Sequence, residues 1–148
     1  MMKVRSPSHA IATRKRFFLA ASVLAAATAV GADDLPQFRP GLWEFKRSIE
    51  ELKQGTKPPP VNLQECVDPT ANLKKHKETP GCKFSPMTKS GDSYSFTADC
   101  QTDRGRLRAK SVITVESDSA YRLRIESQAG DQQWTELLVA RRIGDCEK

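Results

Sequence analysis

Residue types that carry catalysis or bind metals are scarce or poorly spaced in this chain of 148 residues. Only two histidines occur, and His9 lies in a basic and apolar leader. His76 stands among lysines without a Gly-x-Ser-x-Gly or similar nucleophile motif, which is typical of a solvated surface side chain. No Cys-x-x-Cys or paired-histidine spacing is present, so neither a thiol oxidoreductase nor a zinc site is indicated. The sequence therefore predicts no catalytic residue, no metal ligands and no cofactor.

Long apolar runs are also absent, apart from one that extends from Phe17 to Val30. Basic residues precede this run and small residues ending at Ala32 follow it, which is the pattern of a cleavable secretory signal. The run is short for a membrane span, although an uncleaved anchor is the alternative. We expect residues 1–32 to be a signal peptide, and the mature protein to be periplasmic without a transmembrane segment.

Excess positive charge is largely confined to this leader. Five of the 24 Lys and Arg residues and none of the 18 Asp and Glu residues lie in residues 1–32, which leaves 19 basic and 18 acidic groups. A nucleic-acid binder normally needs a concentrated basic surface, because it must displace counterions from phosphates. The near-neutral mature chain therefore argues against nucleic acid as a partner.

The rest of the chain has the size of one domain and the pattern of a β protein. Residues 33–39 read as a flexible mature N-terminus, and residues 40–148 as a single disulfide-bonded β domain. Asp68-Pro69 combines an N-cap with a first-turn proline, which predicts one short helix ending near Lys75. Elsewhere, apolar and polar residues alternate between Gly, Ser and Asp turns. We expect an all-β fold: a twisted antiparallel meander of about six strands, half-barrel-like, with one short helix and two disulfides.

Turn positions also predict strand bounds and part of the register. The expected strands are residues 42–49, 83–88, 93–100, 106–116, 120–128 and 132–143, with a short extended piece at 61–66. Symmetry about Gly91 places three pairs opposite one another: Cys82 and Cys100, Phe84 and Ala98, Pro86 and Phe96. A loop at residues 117–119 pairs Val115 with Tyr121, Ile113 with Leu123 and Ser111 with Ile125. The register of the last strand stays open, because two apolar sets compete for its inward face.

Four cysteines follow the leader, and an even number in a small exported domain indicates a disulfide framework. Four cysteines allow three connectivities. Directly opposed residues of an antiparallel pair come close enough for a sulfur bridge, so the Gly91 hairpin favours Cys82–Cys100. That choice leaves Cys66–Cys146 as the second bond.

Two sets of residues are candidates for binding. One is a basic face that is suited to phosphates or carboxylates of envelope lipids. Its members are Arg106, Arg108, Lys110, Arg122 and Arg124. The alternative is an ordinary solvated face, since acidic residues interrupt the row. The other set is aromatic, and it either lines an apolar ligand site or fills the core. Its members are Trp43, Phe45, Phe84, Phe96 and Tyr121.

Two short motifs resemble those of a known family. The chain opens its β region with Pro40-Gly41-Leu42-Trp43-Glu44 and closes it with Arg142-Ile143-Gly144-Asp145-Cys146. Together with the other cysteines, these motifs resemble small exported bacterial proteins known as domain of unknown function 3617. The resemblance covers Pro40 to Cys146 and implies a periplasmic setting and the cysteine framework, but no activity.

The expected function is that of an uncharacterised, non-catalytic periplasmic binding or interaction protein. Its partner would be an apolar or lipid-like ligand or an envelope protein. The alternative is a small envelope hydrolase that uses acidic residues. Carboxylates that converge in one cleft would favour the hydrolase, and an apolar cavity would favour binding.

Overall fold

The computed structural model of the chain describes residues 28–29 and 35–147. The predicted signal peptide therefore lies outside the described residues, apart from Thr28 and Ala29. In chain order the elements are β1 (Thr28–Ala29), β2 (Gly41–Leu52), β3 (Val61–Val67), α1 (Pro69–His76), β4 (Cys82–Phe84), β5 (Thr88–Ser90), β6 (Ser93–Thr102), β7 (Gly105–Ser117), β8 (Ala120–Ala129) and β9 (Gln132–Gly144).

All nine strands of the described chain belong to one open antiparallel sheet. Their order is β1-β5-β6-β7-β8-β9-β2-β3, and β4 also pairs with β6. Strands β6 to β9 form the predicted meander, while β2 returns to pair with β9. The all-β fold with one helix and two disulfides is confirmed. Eight strands follow residue 40 where about six were expected, because the piece at 61–66 pairs fully with β2 and the segment at 83–88 is split.

The split in that segment changes the predicted register of its hairpin. Strand β4 pairs with β6 as predicted, with Cys82 opposite Cys100. Strand β5 pairs with β6 one residue out of that register, so the predicted pairing of Pro86 with Phe96 is wrong. Proline has no N–H to donate to a ladder, and the chain leaves the strand around it. The extra residue lets Met87 turn into the core, where it is 3% exposed.

The long strands define two sheet faces. The β7–β8 hairpin has the predicted register, with Val115 opposite Tyr121. In β9, Ala140 lies opposite Tyr121, which fixes the register that the sequence left open. We call the face that carries the aromatic set the core face. The opposite face carries the basic row from Arg106 to Arg124 and is called the charged face.

The core forms on the core face and includes a segment that was expected to be flexible. Buried residues of this cluster are Phe38, Trp43, Met87, Tyr94, Phe96, Ile113, Tyr121 and Ala140. Phe38 belongs to residues 33–39, of which 35–39 are described, and it is 6% exposed. Burial of the Phe38 ring and of Pro36 removes apolar surface from water, so this segment is part of the packed domain rather than a loose terminus.

Helix α1 covers the same part of the core. Asp68 caps it as predicted, because its Oδ1 accepts a hydrogen bond from Ala71 N at 3.0 Å and Pro69 occupies the first turn. The Thr70 hydroxyl accepts from Phe38 N at 2.9 Å and donates to Pro36 O at 3.0 Å. One threonine therefore ties the helix to the N-terminal segment.

Disulfides join Cys82 to Cys100 and Cys66 to Cys146, the two pairs that the sequence predicts. The first bond lies within the β4–β6 pair. The second joins the end of β3 to the residues that follow β9, across the β2 strand between them. The edge strand β3 is therefore held by a covalent bond as well as by its ladder.

Candidate functional site

The aromatic set lies in the core. Trp43, Phe96 and Tyr121 are 0%, 7% and 8% exposed, while Phe45 and Phe84 are partly buried and pack against the same cluster. The ring centroid of Phe38 lies 4.6 Å from that of Tyr121 and 6.0 Å from that of Trp43. Protein side chains thus occupy the space beside these rings. Their packing explains the aromatic content of the strands without a ligand.

The sheet brings the five basic residues onto one face, as predicted, and also brings carboxylates to them. Arg106 forms a two-point interaction with Asp99, and Arg122 Nε lies 2.7 Å from Glu116 Oε1. Arg124 pairs with Glu50 and lies 3.6 Å from Glu126. These are exposed ion pairs, which contribute little to stability.

Their effect is to reduce the positive charge of the face. The two hydrogen bonds from Arg106 are the main reason why the pKa of Asp99 lies below its usual range, and Arg108 and Lys83 add to the effect. Asp99 also raises the pKa of Arg106. Both groups are therefore ionised throughout the physiological range, and the carboxyl of Asp99 is poorly suited to donate a proton as a general acid.

A groove of about 780 Å³ crosses the charged face near the ends of β6 to β9. It follows two rows of cross-strand neighbours: Thr97, Lys110 and Glu126 in one, and Asp99, Arg108 and Gln128 in the other. Arg124 also lines it, whereas Arg106 and Arg122 do not. The groove therefore collects three of the five predicted basic residues and places carboxylates and amides between them.

Arg108 lines the groove and is only loosely engaged with a carboxylate. Its Nε lies 3.8 Å from Asp99 Oδ2, which is an ion pair beyond hydrogen-bond distance. Its side chain is 60% exposed. A guanidinium in this state presents a planar set of N–H donors to an incoming oxyanion.

A second polar cluster, on the core face, was not predicted from the sequence. Glu136 is 7% exposed, and it accepts hydrogen bonds from Trp134 Nε1 at 2.8 Å and Arg47 Nε at 2.6 Å. Glu136 lies two residues from Trp134 and from Leu138 in β9, so the three side chains share one face of the strand. The sequence does not show that this face is the inward one until the register of β9 is known. The network satisfies a buried carboxylate and an indole N–H, and we assign it a structural role.

The described residues hold no recognisable cluster of metal ligands. Among residues 28–29 and 35–147, no cluster of three or more His, Cys, Asp or Glu side chains has the arrangement of a metal site. His76 is exposed at the end of α1, with its ring centroid 6.0 Å from that of Phe84. Within the same described part of the chain, no helix is long and apolar enough to span a membrane.

These observations define a small antiparallel β protein with two disulfides and a charged groove. A sequence profile of the family described as Protein of unknown function (DUF3617) matches residues 38–146, and the chain belongs to that family. The predicted resemblance to this family is thereby confirmed. No curated protein and no solved structure matches the chain.

Proposed function

We propose that the chain is a non-catalytic periplasmic binding protein and that its charged groove holds the anionic group of a lipid-like envelope ligand. The observation that carries this proposal is the groove itself, which gathers Arg108, Lys110 and Arg124 beside polar side chains in one depression of the charged face. The leader sequence and the two disulfides support an oxidising compartment outside the cytoplasm.

The chemistry of the groove favours an oxyanion over an apolar ligand. Arg108 and Lys110 are two residues apart in strand β7 and therefore project from the same face, which suits the pair to bind one phosphate or carboxylate group. Asp99 competes for Arg108 and Glu126 competes for Arg124, which makes the expected binding weak and sensitive to salt. An acyl chain would then lie along the sheet surface rather than within the filled core.

Binding to lipid vesicles tests this proposal. We expect the wild-type protein to sediment with phosphatidylglycerol vesicles more than with phosphatidylcholine vesicles, and to be released as salt rises. The double variant Arg108→Gln and Lys110→Gln removes two positive charges from the groove. It should lose most of the phosphatidylglycerol-dependent sedimentation.

The same face offers a matched control for the loss of two charges. Arg122 and Arg141 are exposed and lie outside the groove lining. The double variant Arg122→Gln and Arg141→Gln should therefore retain wild-type sedimentation. Equal losses in the two double variants would show a general charge effect, and the absence of any preference for phosphatidylglycerol would refute the proposal.

The alternative of a small envelope hydrolase has no comparable support in the described residues. Two carboxylates of the groove, Asp99 and Glu126, are engaged with arginines, and the lowered pKa of Asp99 is opposite to the shift that a general acid requires.

A further inference from the structure

Strand β3 forms one edge of the sheet and exposes nearly all of its side chains. Six of its seven residues are exposed, and Val61 and Leu63 are apolar side chains at 58% and 53% exposure. In the ladder, Leu63 lies opposite Phe45 and Val61 opposite Arg47, so both belong to the core face. An edge strand with apolar side chains is a template for pairing with another strand.

The two edges of the sheet differ in how they resist such pairing. At the far edge, β5 has three residues and contains Lys89, and the two residues of β1 pair with it. Short length and lysine are features that natural proteins use to protect sheet edges. Strand β3 has seven residues and contains no lysine or arginine, and Pro60 directly precedes it. Its only ionisable side chain, Glu65, provides little electrostatic protection.

Strand β3 is also held in place before any partner arrives. It gains little from side-chain burial, yet it pairs with β2 along its whole length and carries Cys66, which is bonded to Cys146. The chain then passes directly into α1, whose first residue Pro69 is buried. Because the disulfide and the helix fix the C-terminal end of β3, the strand loses little conformational freedom when it pairs with a partner. This lowers the entropic cost of association.

We propose that β3 pairs with β3 of a second copy of this chain, antiparallel across a twofold axis that places Leu63 opposite Leu63. An antiparallel edge is complementary to its own copy, as a twofold interface requires. In this register Glu65 lies opposite Val61 and the two glutamates are kept apart, so the strand's own charge does not oppose the pairing. The two Leu63 side chains shield each other from water beside Phe45.

The association is separate from the proposed ligand groove, since no residue of β3 lines it. The experiment is sedimentation equilibrium of the periplasmically purified protein over a range of concentrations. We expect a reversible increase from monomer to twice the monomer mass. The double variant Val61→Lys and Leu63→Lys should sediment as a monomer, while Thr114→Lys, an exposed change on the central strand β7, should sediment as the wild type does.

A crosslinking variant tests the register itself. Directly opposed residues of an antiparallel pair are close enough for a disulfide, so Leu63→Cys should yield a covalent dimer on a non-reducing gel. Thr114→Cys should not, and peptide mapping confirms that both native disulfides are retained. A wild-type protein that stays monomeric at every concentration, or a dimer that persists in the lysine double variant, would overturn the proposal. A dimer without a Leu63→Cys crosslink would overturn the register.

Discussion

At the scale of single residues, the glycine of the motif at residues 40–44 has a steric explanation. A Cβ added to Gly41 would lie 2.5 Å from Arg142 Nε and 2.6 Å from Gly144 O. Arg142 Nε in turn donates to Pro40 O at 2.9 Å. The motif at residues 40–44 and the motif at 142–146 therefore meet in space, and the glycine permits their contact. The two motifs thus lie where strands β2 and β9 are joined.

Gly41→Ala should accordingly destabilise the protein. The backbone carbonyl of Gly144 has little freedom to move away, so we expect the free energy of unfolding to fall by roughly 1–3 kcal/mol. Gly144→Ala is the matched control, because nothing lies within 4 Å of its added Cβ. Urea unfolding of the two variants should give a clear loss for the first and a change within about 0.5 kcal/mol for the second. Equal losses would contradict the steric explanation.

Tyr121 links the core to the alkaline stability of the protein. Burial raises its pKa from 10.0 to about 12, because the phenolate form is poorly solvated beside Phe38 and Trp43. The unfolded chain therefore releases this proton at lower pH than the folded protein does. The stabilisation is fully present below pH 10 and is lost as the pH rises towards about 12.

Between these limits the free energy of unfolding should decline by up to roughly 2–3 kcal/mol through this group alone. The measurement is urea unfolding at several alkaline pH values for the wild type and Tyr121→Phe. The variant should show a shallower decline, since lysine titration is common to both proteins. Parallel curves for the two proteins would show that Tyr121 titrates alike in the folded and unfolded states.

At the scale of elements, sequence reasoning succeeded where local chemistry decides and failed where long-range packing decides. The Asp68-Pro69 cap and the β7–β8 turn depend on neighbouring residues, and both were predicted. Burial of Phe38 depends on Thr70 and Tyr121, which are distant in the sequence. The two apolar residues Leu35 and Phe38 in this short segment were the available signal that it is buried. They do not identify the surface against which their side chains pack.

The same distinction applies to the candidate site. The basic face followed from strand alternation, because residues two apart project from the same side. The pairing of Arg124 with Glu50 did not follow, because Glu50 comes from β2 and reaches Arg124 of β8 only through the order of strands in the sheet. The groove likewise depends on residues of β2 and β6 to β9 that the order of strands brings together. Alternation therefore predicts which residues share a face but not the shape of that face.

The two disulfides should differ in their contributions to stability. Cys66 and Cys146 are 80 residues apart, whereas Cys82 and Cys100 are 18 apart. In the chain-entropy model, the longer loop gives roughly 4 kcal/mol and the shorter roughly 3 kcal/mol of stabilisation. Replacing Cys66 and Cys146 together by alanine should thus reduce the free energy of unfolding more than replacing Cys82 and Cys100. Urea unfolding checks this order, and the reverse order would show that strand β4 depends on its bond more than β3 does.

At the scale of the whole molecule, the proposed export defines which part of the chain works in the envelope. Intact mass spectrometry of protein from the periplasm should show loss of residues 1–32 and two fewer hydrogen atoms for each disulfide. Such a product lacks Thr28 and Ala29, so β5 becomes the edge of the sheet. A full-length mass in the membrane fraction would instead support an uncleaved anchor. Native mass spectrometry of the same sample identifies any lipid that remains bound.

The pairing of β2 with β9 also determines when the protein can acquire its final form. Synthesis delivers β2 early, but its neighbour β9 is the last of the described strands to be made. Contacts that distant in sequence slow folding, because the chain must close a large loop before it gains them. Until β9 has been synthesised, β2 exposes the unpaired backbone groups of one edge, and Cys66 has no Cys146 with which to form its disulfide. The interval between the emergence of residue 52 and residue 146 is therefore when this chain most needs protection by a chaperone.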